Sequence, residues 1–198
     1  GRIMSYCDGI ISKAISDFGC GTPATKGIER VGWLINRADI DFASVAFSET
    51  SKNVLTAFPL HSGKKAYTVT QKGNTPFTGS KSSAVVGTYG VTIDNNIVLA
   101  LLNNDKESSD IVDSLLQGEF VFIAEYKDKG ADRASAFRVF GFYNGLLASA
   151  CEHDPYGDAY AGAVVTLTES GAPQYALYLG ESYTAGKTII DGLVAPAA

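Results

Sequence analysis

Residues 108–126, SSDIVDSLLQGEFVFIAEY, predict a short helix followed directly by a buried strand. The residue types at 108–110 are ones that begin helices, and Gly118 can take the left-handed conformation that ends one. Between these two signals, four apolar side chains share one helical face: Ile111, Val112, Leu115 and Leu116. A helix of about two and a half turns is not stable alone, so we expect it to pack its apolar face on the rest of the protein.

The strand at residues 119–126 is predicted to lie inside a sheet. Its side chains alternate with the period of two that strands require. Both sides are largely apolar, with Phe120, Phe122 and Ala124 on one side and Val121 and Ile123 on the other. A strand with two apolar faces needs cover on both of them.

A tight turn is predicted further along the chain. The polar loop 127–133 leads to a second alternating run and then to Asn144-Gly145. Asn-Gly between two apolar runs is the strongest short signal for a β-hairpin, since both residues tolerate the positive φ of a type I′ turn. We therefore expect the strands on either side of this turn, within residues 134–150, to pair with each other.

Strand-like segments also occur before and after this region and predict one β-rich domain over residues 23–180. The segments are 30–35, 54–60, 65–71, 84–89, 91–102, 163–168 and 175–179. Together with the helix, they predict a mainly β fold with one or two short helices. We expect a β-sandwich or a partly open barrel with a helix packed on its side.

Two terminal segments flank this domain. In residues 1–22, apolar side chains recur at helical spacing and predict an amphipathic helix or an arm that lies on another surface: Ile10, Ile11, Ala14, Ile15 and Phe18. Residues 181–198 are predicted to be a C-terminal extension. Its last part, 192–198, is small and apolar, and we expect it to trail along a surface or to be disordered.

Residues 72–81, KGNTPFTGSK, are the most loop-like part of the sequence. Loops of this length in compact domains are usually functional or disordered. A solvated or partner-bound loop accounts for the composition better than a phosphate cradle. We expect removal of residues 74–81 to leave the monomer folded and to weaken its association with other copies.

The composition favours a folded protein that meets other proteins. Of 198 residues, 45% are hydrophobic, as in proteins with a real core, and only 19% are charged, below the usual quarter. A surface with few charges and many Tyr, Ser, Thr, Asn and Gly residues is typical of protein contacts.

Charge and cysteine content limit the partners and the cellular compartment that the sequence allows. The net charge of −5 argues against a protein that grips nucleic acid through phosphates, but it is compatible with nucleic acid that slides past. Cys7, Cys20 and Cys151 have no C-x-x-C spacing, so we expect free, mostly buried thiols in a reducing compartment. No apolar run approaches the roughly 18 residues of a membrane span, and no secretory leader opens the sequence.

Two glycine-containing segments match nucleotide-binding loops only in part. Residues 19–24 have suitable glycine spacing, but the preceding segment is helix-like and Pro23 interrupts the required helix start. Gly186-Lys187-Thr188 ends like a phosphate-binding loop, but Glu181 stands where the first glycine is required. We also expect no long helix after Thr188. Neither segment is assigned a cofactor.

One polar segment contains several metal-ligand residue types: Cys151, His153, Asp154 and Asp158. His61 is the only other histidine, and Asp-Pro and Tyr-Gly are ordinary turn formers. Residues 152–160 are therefore interpreted as a turn-rich loop. We assign no catalytic, cofactor-binding or metal-binding residue and expect no enzyme activity.

The order of elements in the second half of the chain resembles the tail-tube proteins of bacteriophages and their relatives in contractile injection machines. In that family a β-sandwich carries one helix at its side, and a short helix, a glycine, a long strand, a loop, two further strands and a closing strand follow one another. The matching residues are 111–118 for the helix and its stop, 119–126 for the long strand, 134–150 for the paired strands and 163–168 for the closing strand. Residues 4–18 depart from that pattern and leave open a ring or connector protein built on the same fold.

This resemblance implies a virion structural protein of a phage tail that is assembled in the host cytoplasm. It implies self-assembly into rings, usually of six copies, or into a tube, with other virion proteins as further partners. Strands of neighbouring copies would join into an inner barrel around a channel through which DNA passes. The resemblance implies no cofactor, no membrane and no specific binding of nucleic acid.

The alternative is a carbohydrate- or host-surface-binding β-sandwich module with Trp33, Tyr156 and Tyr160 as stacking groups on loops. For Trp33, the apolar neighbours within residues 31–35 favour a core or subunit-contact role instead. A ring subunit should form large oligomers when concentrated. A binding module should stay small and bind glycans.

Overall fold

Two β-sheets packed face to face form the body of the protein. The structure is a computed structural model and describes residues 9–16, 25–157 and 162–195. The larger sheet contains β1 (Ile28–Asn36), β2 (Ala46–Phe47), β3 (Val54–Ala57), β4 (Tyr67–Thr70), β7 (Phe120–Tyr126), β8 (Phe137–Phe140) and β11 (Tyr178–Leu179). The smaller sheet contains β5 (Lys81–Val86), β6 (Val91–Leu101), β9 (Leu147–His153) and β10 (Ala163–Ala172). The helices are α1 (Lys106–Gln117) and α2 (Tyr183–Val194).

The strand order makes this a sandwich. The larger sheet runs β2-β3-β11-β8-β7-β1-β4, and the smaller sheet runs β5-β6-β10-β9. The two sheets do not close into a barrel. The prediction of a mainly β sandwich with a helix packed against it is therefore confirmed.

β7 is an interior strand of the larger sheet, as predicted. It pairs antiparallel with β1 on one side and with β8 on the other. Val121 and Ile123 face a core shared with α2, which we call the helix-side core. Phe120, Phe122 and Ala124 face the core between the two sheets, the inter-sheet core. Each face of the strand is thus covered by a different layer, which explains why both are apolar.

α1 begins and ends differently from the prediction. Its N-cap is Asp105, whose side chain accepts a hydrogen bond from the Ser108 N–H at 2.8 Å. Gly118 has an extended backbone (φ −95°, ψ −179°) and not a left-handed one. Glycine is needed there for space, because a Cβ would lie 2.5 Å from the Phe120 ring.

α1 covers the sandwich with only part of its apolar face. The helix packs against β9 and β10, and Leu115 is its one buried side chain. Val112 is partly buried against the inter-sheet core. Ile111 and Leu116 remain 48% and 41% exposed, so the helix keeps apolar surface in contact with solvent.

Residues 183–194 form α2 and not a trailing extension. Ser182 caps this helix by accepting a hydrogen bond from the Ala185 N–H at 3.1 Å. Ile190 and Leu193 are buried in the helix-side core. The expectation that residues 192–198 trail along a surface or are disordered is therefore wrong for 192–194, which belong to this helix. Glycines and β-branched residues weaken the local helix signal, and packing on the sheet decides the conformation.

The hairpin predicted at Asn144-Gly145 does not form. β8 pairs with β7 and β11 in the larger sheet, whereas β9 pairs with β10 in the smaller one. Gly145 has a positive φ of 81°, but Asn144 does not, so the type I′ turn is absent at this position. Residues 141–146 instead carry the chain from one sheet to the other.

Residues 71–80 form a loop, as expected, but Phe77 anchors this loop in the inter-sheet core. Its side chain is 3% exposed, and its ring centroid lies 5.2 Å from that of Phe122. Removal of residues 74–81 would take this core ring away. Contrary to the expectation from sequence, we therefore expect the deletion to destabilise the monomer.

The described part of the N-terminal segment, residues 9–16, has no helix, and all of its residues are exposed. Ile10, Ile11 and Ile15 are 68%, 78% and 93% exposed. The other residues of the predicted arm or helix, 1–8 and 17–22, lie outside the described residues. We call residues 9–16 the arm.

Candidate functional site

The hairpin of β5 and β6 exposes apolar side chains at its tip. Val85 and Val86 pair with Thr92 and Val91, beyond Ile93, where the pairing of β6 with β10 ends. Val86 is 80% exposed and Tyr89, in the turn, is fully exposed. The apolar tip, residues 85–91, is therefore a two-stranded ribbon that neither sheet covers. Such a ribbon is marginally stable in water and gains from contact with another surface.

The end strands of both sheets offer backbone groups to a partner. They are β2 and β4 in the larger sheet and β5 and β9 in the smaller one. Directly after β4, Gln71 donates its backbone N–H to the Arg30 carbonyl at 2.7 Å. Because alternate residues bond to the same neighbour, Thr68 and Thr70 direct their backbone groups away from β1. Edges of this kind are templates for pairing with another chain.

A groove of about 580 Å³ lies between the β4 edge, the end of β6 and α1. We call it the edge groove. Its apolar lining includes Leu34, Val69, Leu99, Leu101, Leu102, Ile111 and Leu115. Ser108 is a polar residue on its α1 side. The exposed face of α1 thus opens into a preformed apolar depression.

Gln71 closes the bottom of the edge groove by joining the two sheets. Its side-chain Nε2 donates to the Ala100 carbonyl at 2.9 Å, and its Oε1 accepts from the Ala100 N–H at 3.1 Å. The side-chain amide therefore takes the place of a neighbouring strand at the edge of β6. Gln71 is buried, so this bridge is shielded from competing water.

A buried carboxylate holds the crossover between the sheets. Glu169 is 1% exposed, and its Oε1 accepts hydrogen bonds from Asn95 Nδ2 at 2.8 Å and from the Gly141 N–H at 3.1 Å. Its Oε2 accepts from the backbone N–H groups of Tyr143 and Asn144 at 3.1 and 3.0 Å. These bonds use the backbone donors that a hairpin would otherwise need. Glu169 thus explains why the Asn-Gly segment crosses between sheets.

Within the part of the chain that the structure describes, two side chains have clearly shifted pKa values. The Ser108 backbone N–H holds the pKa of the exposed Asp105 below its usual value, so the capping hydrogen bond is lost as pH falls through that lowered value. Burial raises the pKa of Tyr126, and the charge of Arg138 opposes the increase. The Arg138 guanidinium lies 4.3 Å from the centre of the Tyr126 ring and 5.2 Å from that of Tyr178.

The structure separates the stacking residues proposed from sequence. Trp33 is 5% exposed in the helix-side core, with Lys187 Nζ 5.2 Å from the centre of its ring. The core role favoured for Trp33 is confirmed, because a buried ring cannot stack on a sugar. Tyr156 is fully accessible on the surface. Tyr160 lies outside the described residues.

The metal-ligand and nucleotide-binding residue types also do not converge. No group of three His, Cys, Asp or Glu side chains that could hold a metal ion occurs among the described residues, and Asp158 is not one of them. Cys151 is a free thiol but is exposed, so the expectation of buried thiols is wrong for this residue. The Gly186-Lys187-Thr188 segment lies inside α2, which ends at Val194, and does not form a loop before a helix. Residues 19–24 are outside the described range.

Two features were missed in the sequence although each has a signal. Glu169 lies on the same, buried side of β10 as Val165 and Leu167, and this alternation marks it as a core position. The apolar tip corresponds to Gly87-Thr88-Tyr89-Gly90 between two valine-rich strands, which is a hairpin pattern. The exposure of its valines has no local signal.

Comparison of the chain with protein-family models, with curated proteins and with solved structures finds no match. Within the described ranges, the helices are too short and too polar for one of them to cross a bilayer. The functional interpretation therefore rests on the surfaces described above.

Proposed function

We propose that this protein is a self-assembling structural protein that forms rings or a tube in a bacteriophage tail, around the conduit for DNA. The apolar tip carries the proposal. It places Val85, Val86, Tyr89 and Val91 in water at the end of a ribbon that no other part of the body supports. Contact with a second copy would remove these side chains from water.

The free edges and the charge support the same function. Four end strands can pair with strands of neighbouring copies, as closed assemblies of β proteins require. The net charge of −5 suits a channel wall that lets DNA pass without holding it. The partners are further copies of the chain and other virion proteins, and the proposal includes no chemical reaction. The assembled protein would reside in the virion after assembly in the host cytoplasm.

A carbohydrate-binding module receives less support from the surface. Of its three sequence candidates, Trp33 is buried, and Tyr156 is the one that the structure describes in an exposed position. A sugar platform usually combines a ring with converging polar groups. The exposed Tyr156 side chain alone does not provide such a site.

Electron microscopy and light scattering across a range of protein concentrations test the proposal. We expect rings or short tubes to appear as the concentration rises, together with a steep increase in scattering mass. Monomers at every concentration would reject the proposal. Glycan binding by those monomers would favour the binding module instead.

A further inference from the structure

The arm has the sequence pattern of a helix but is not helical in the single chain. At helical spacing, Ile10, Ile11, Ala14 and Ile15 share one face, with Ser12 and Ser16 on the other. In the structure, residues 9–16 have no helix and all of them are exposed. A helix this short requires an apolar surface to pack on. To form a helix, the arm therefore needs an apolar surface on which to dock.

The edge groove has the properties of that surface. Apolar side chains make up more than half of its lining, which also contains the polar residues Thr68, Thr70, Gln71, Lys72, Asn103 and Ser108. Two of the apolar ones, Ile111 on α1 and Leu102 after the end of β6, are 48% and 39% exposed. Amphipathic helices bind such grooves through residues spaced three and four apart, as Ile11, Ala14 and Ile15 are.

We propose that the arm of one copy folds into a helix in the edge groove of a second copy. The inference rests on the proposed self-assembly and specifies one contact by which it occurs. Residues 17–27 connect the arm to β1 and can span up to about 40 Å when extended, so the arm can leave its own body. Folding on binding explains why the helical pattern and the extended arm of the single chain coexist.

Disulfide trapping between two different chains tests the contact directly. In a background with Cys7, Cys20 and Cys151 changed to Ser, one chain carries Ala14→Cys and a second chain of different size carries Ser108→Cys. Ser108 lines the groove, and its backbone N–H, which caps α1 by donating to Asp105 Oδ1 at 2.8 Å, is retained when its side chain is changed. Ser109→Cys is the matched control on the adjacent residue, which is exposed and is not among the groove-lining residues.

We expect a mixed disulfide dimer with Ser108→Cys and at least a tenfold lower yield with Ser109→Cys. Equal yields would show random collision and overturn the proposal, as would no mixed dimer. A single chain that carries both Ala14→Cys and Ser108→Cys tests docking within one copy. A disulfide confined to that single chain would also overturn the proposal.

Circular dichroism of the full chain tests whether the arm becomes helical. We expect helical signal to rise with protein concentration, and Lys13→Pro to abolish both this rise and the disulfide, whereas Lys13→Ala keeps both. A concentration-independent signal would overturn the folding step. Large assemblies without a disulfide between Ala14→Cys and Ser108→Cys would reject the arm contact and leave the proposed function intact. A disulfide dimer that does not grow into larger assemblies would support the arm contact and reject the proposed function.

Discussion

At the scale of single residues, Glu169 is the side chain on which the connection between the sheets depends. Four donors converge on its buried carboxylate, and three of them are backbone N–H groups of residues 141–144. Gly141 is required beside it, because a Cβ there would lie 2.6 Å from the Phe120 carbonyl oxygen. The crossover therefore depends on the Glu169 carboxylate as acceptor and on glycine at position 141, where the backbone leaves no room for a side chain.

We expect Glu169→Ala to lower the free energy of unfolding by about 2–4 kcal/mol, because it leaves buried donors without an acceptor. Urea unfolding followed by tryptophan fluorescence measures this change, since Trp33 reports on the core. Glu152→Ala, at an exposed position of β9, is the control and should change the value by less than about 0.5 kcal/mol. Equal effects of the two substitutions would contradict the role given to Glu169.

Tyr126 should make the fold sensitive to alkaline pH. Burial raises its pKa above the ordinary value of 10.0, so the neutral phenol is favoured in the folded state. Its contribution to stability is complete below that ordinary value and is lost as pH rises through the raised one. We expect Tyr126→Phe, which keeps the ring beside Arg138, to lose less stability than the unmodified protein between about pH 8 and about pH 11. Urea unfolding at both pH values decides this, and identical losses would argue against it.

At the scale of elements, α1 depends on one buried side chain. Leu115 lies in the inter-sheet core, whereas the adjacent Leu116 is 41% exposed. We expect Leu115→Asp to prevent folding, because it buries a charge without a partner. Leu116→Asp should leave the protein folded. Heteronuclear NMR spectra of the two variants distinguish these outcomes, and a dispersed spectrum for Leu115→Asp would show that the helix does not dock as described.

The sequence predicts elements better than it predicts their partners. The two apolar faces of residues 120–124 are a local signal, and the interior position of β7 could be predicted from them. Asn144-Gly145 is also a local signal, but the distant Glu169 binds the backbone of this segment and overrides it. α2 has weak local propensity and forms because Ile190 and Leu193 reach the helix-side core. Pairing and burial across long sequence separations are not visible in local periodicity.

At the scale of the whole molecule, the arm and the apolar tip are two places among the described residues where apolar side chains lie exposed outside the enclosed core. The arm could be found in the sequence from its isoleucine spacing. The tip could not, because valines in an exposed ribbon and valines in a buried strand follow the same alternation. Its exposure results from the point at which β10 stops pairing with β6.

Polar substitution of the apolar tip should weaken assembly without unfolding the monomer. We expect Val86→Ser combined with Tyr89→Ser to shift the onset of light scattering to at least tenfold higher protein concentration. The free energy of unfolding should stay within about 0.5 kcal/mol, because both side chains are exposed. Tyr175→Ser removes another exposed tyrosine and serves as the control. Assembly that begins at the same concentration in all three proteins would exclude the tip from the contact.

The order in which the chain visits its strands also has a consequence for synthesis in the cell. Trp33 of β1 pairs with Ile123 of β7, and α2, the last described element, covers one face of the same sheet. During translation, β1 is synthesised before β7 and α2, with which it packs. The domain therefore cannot complete its fold until the end of the chain has been synthesised. We expect polymerisation to begin only after release of complete subunits, which would keep polysomes free of entangled growing chains.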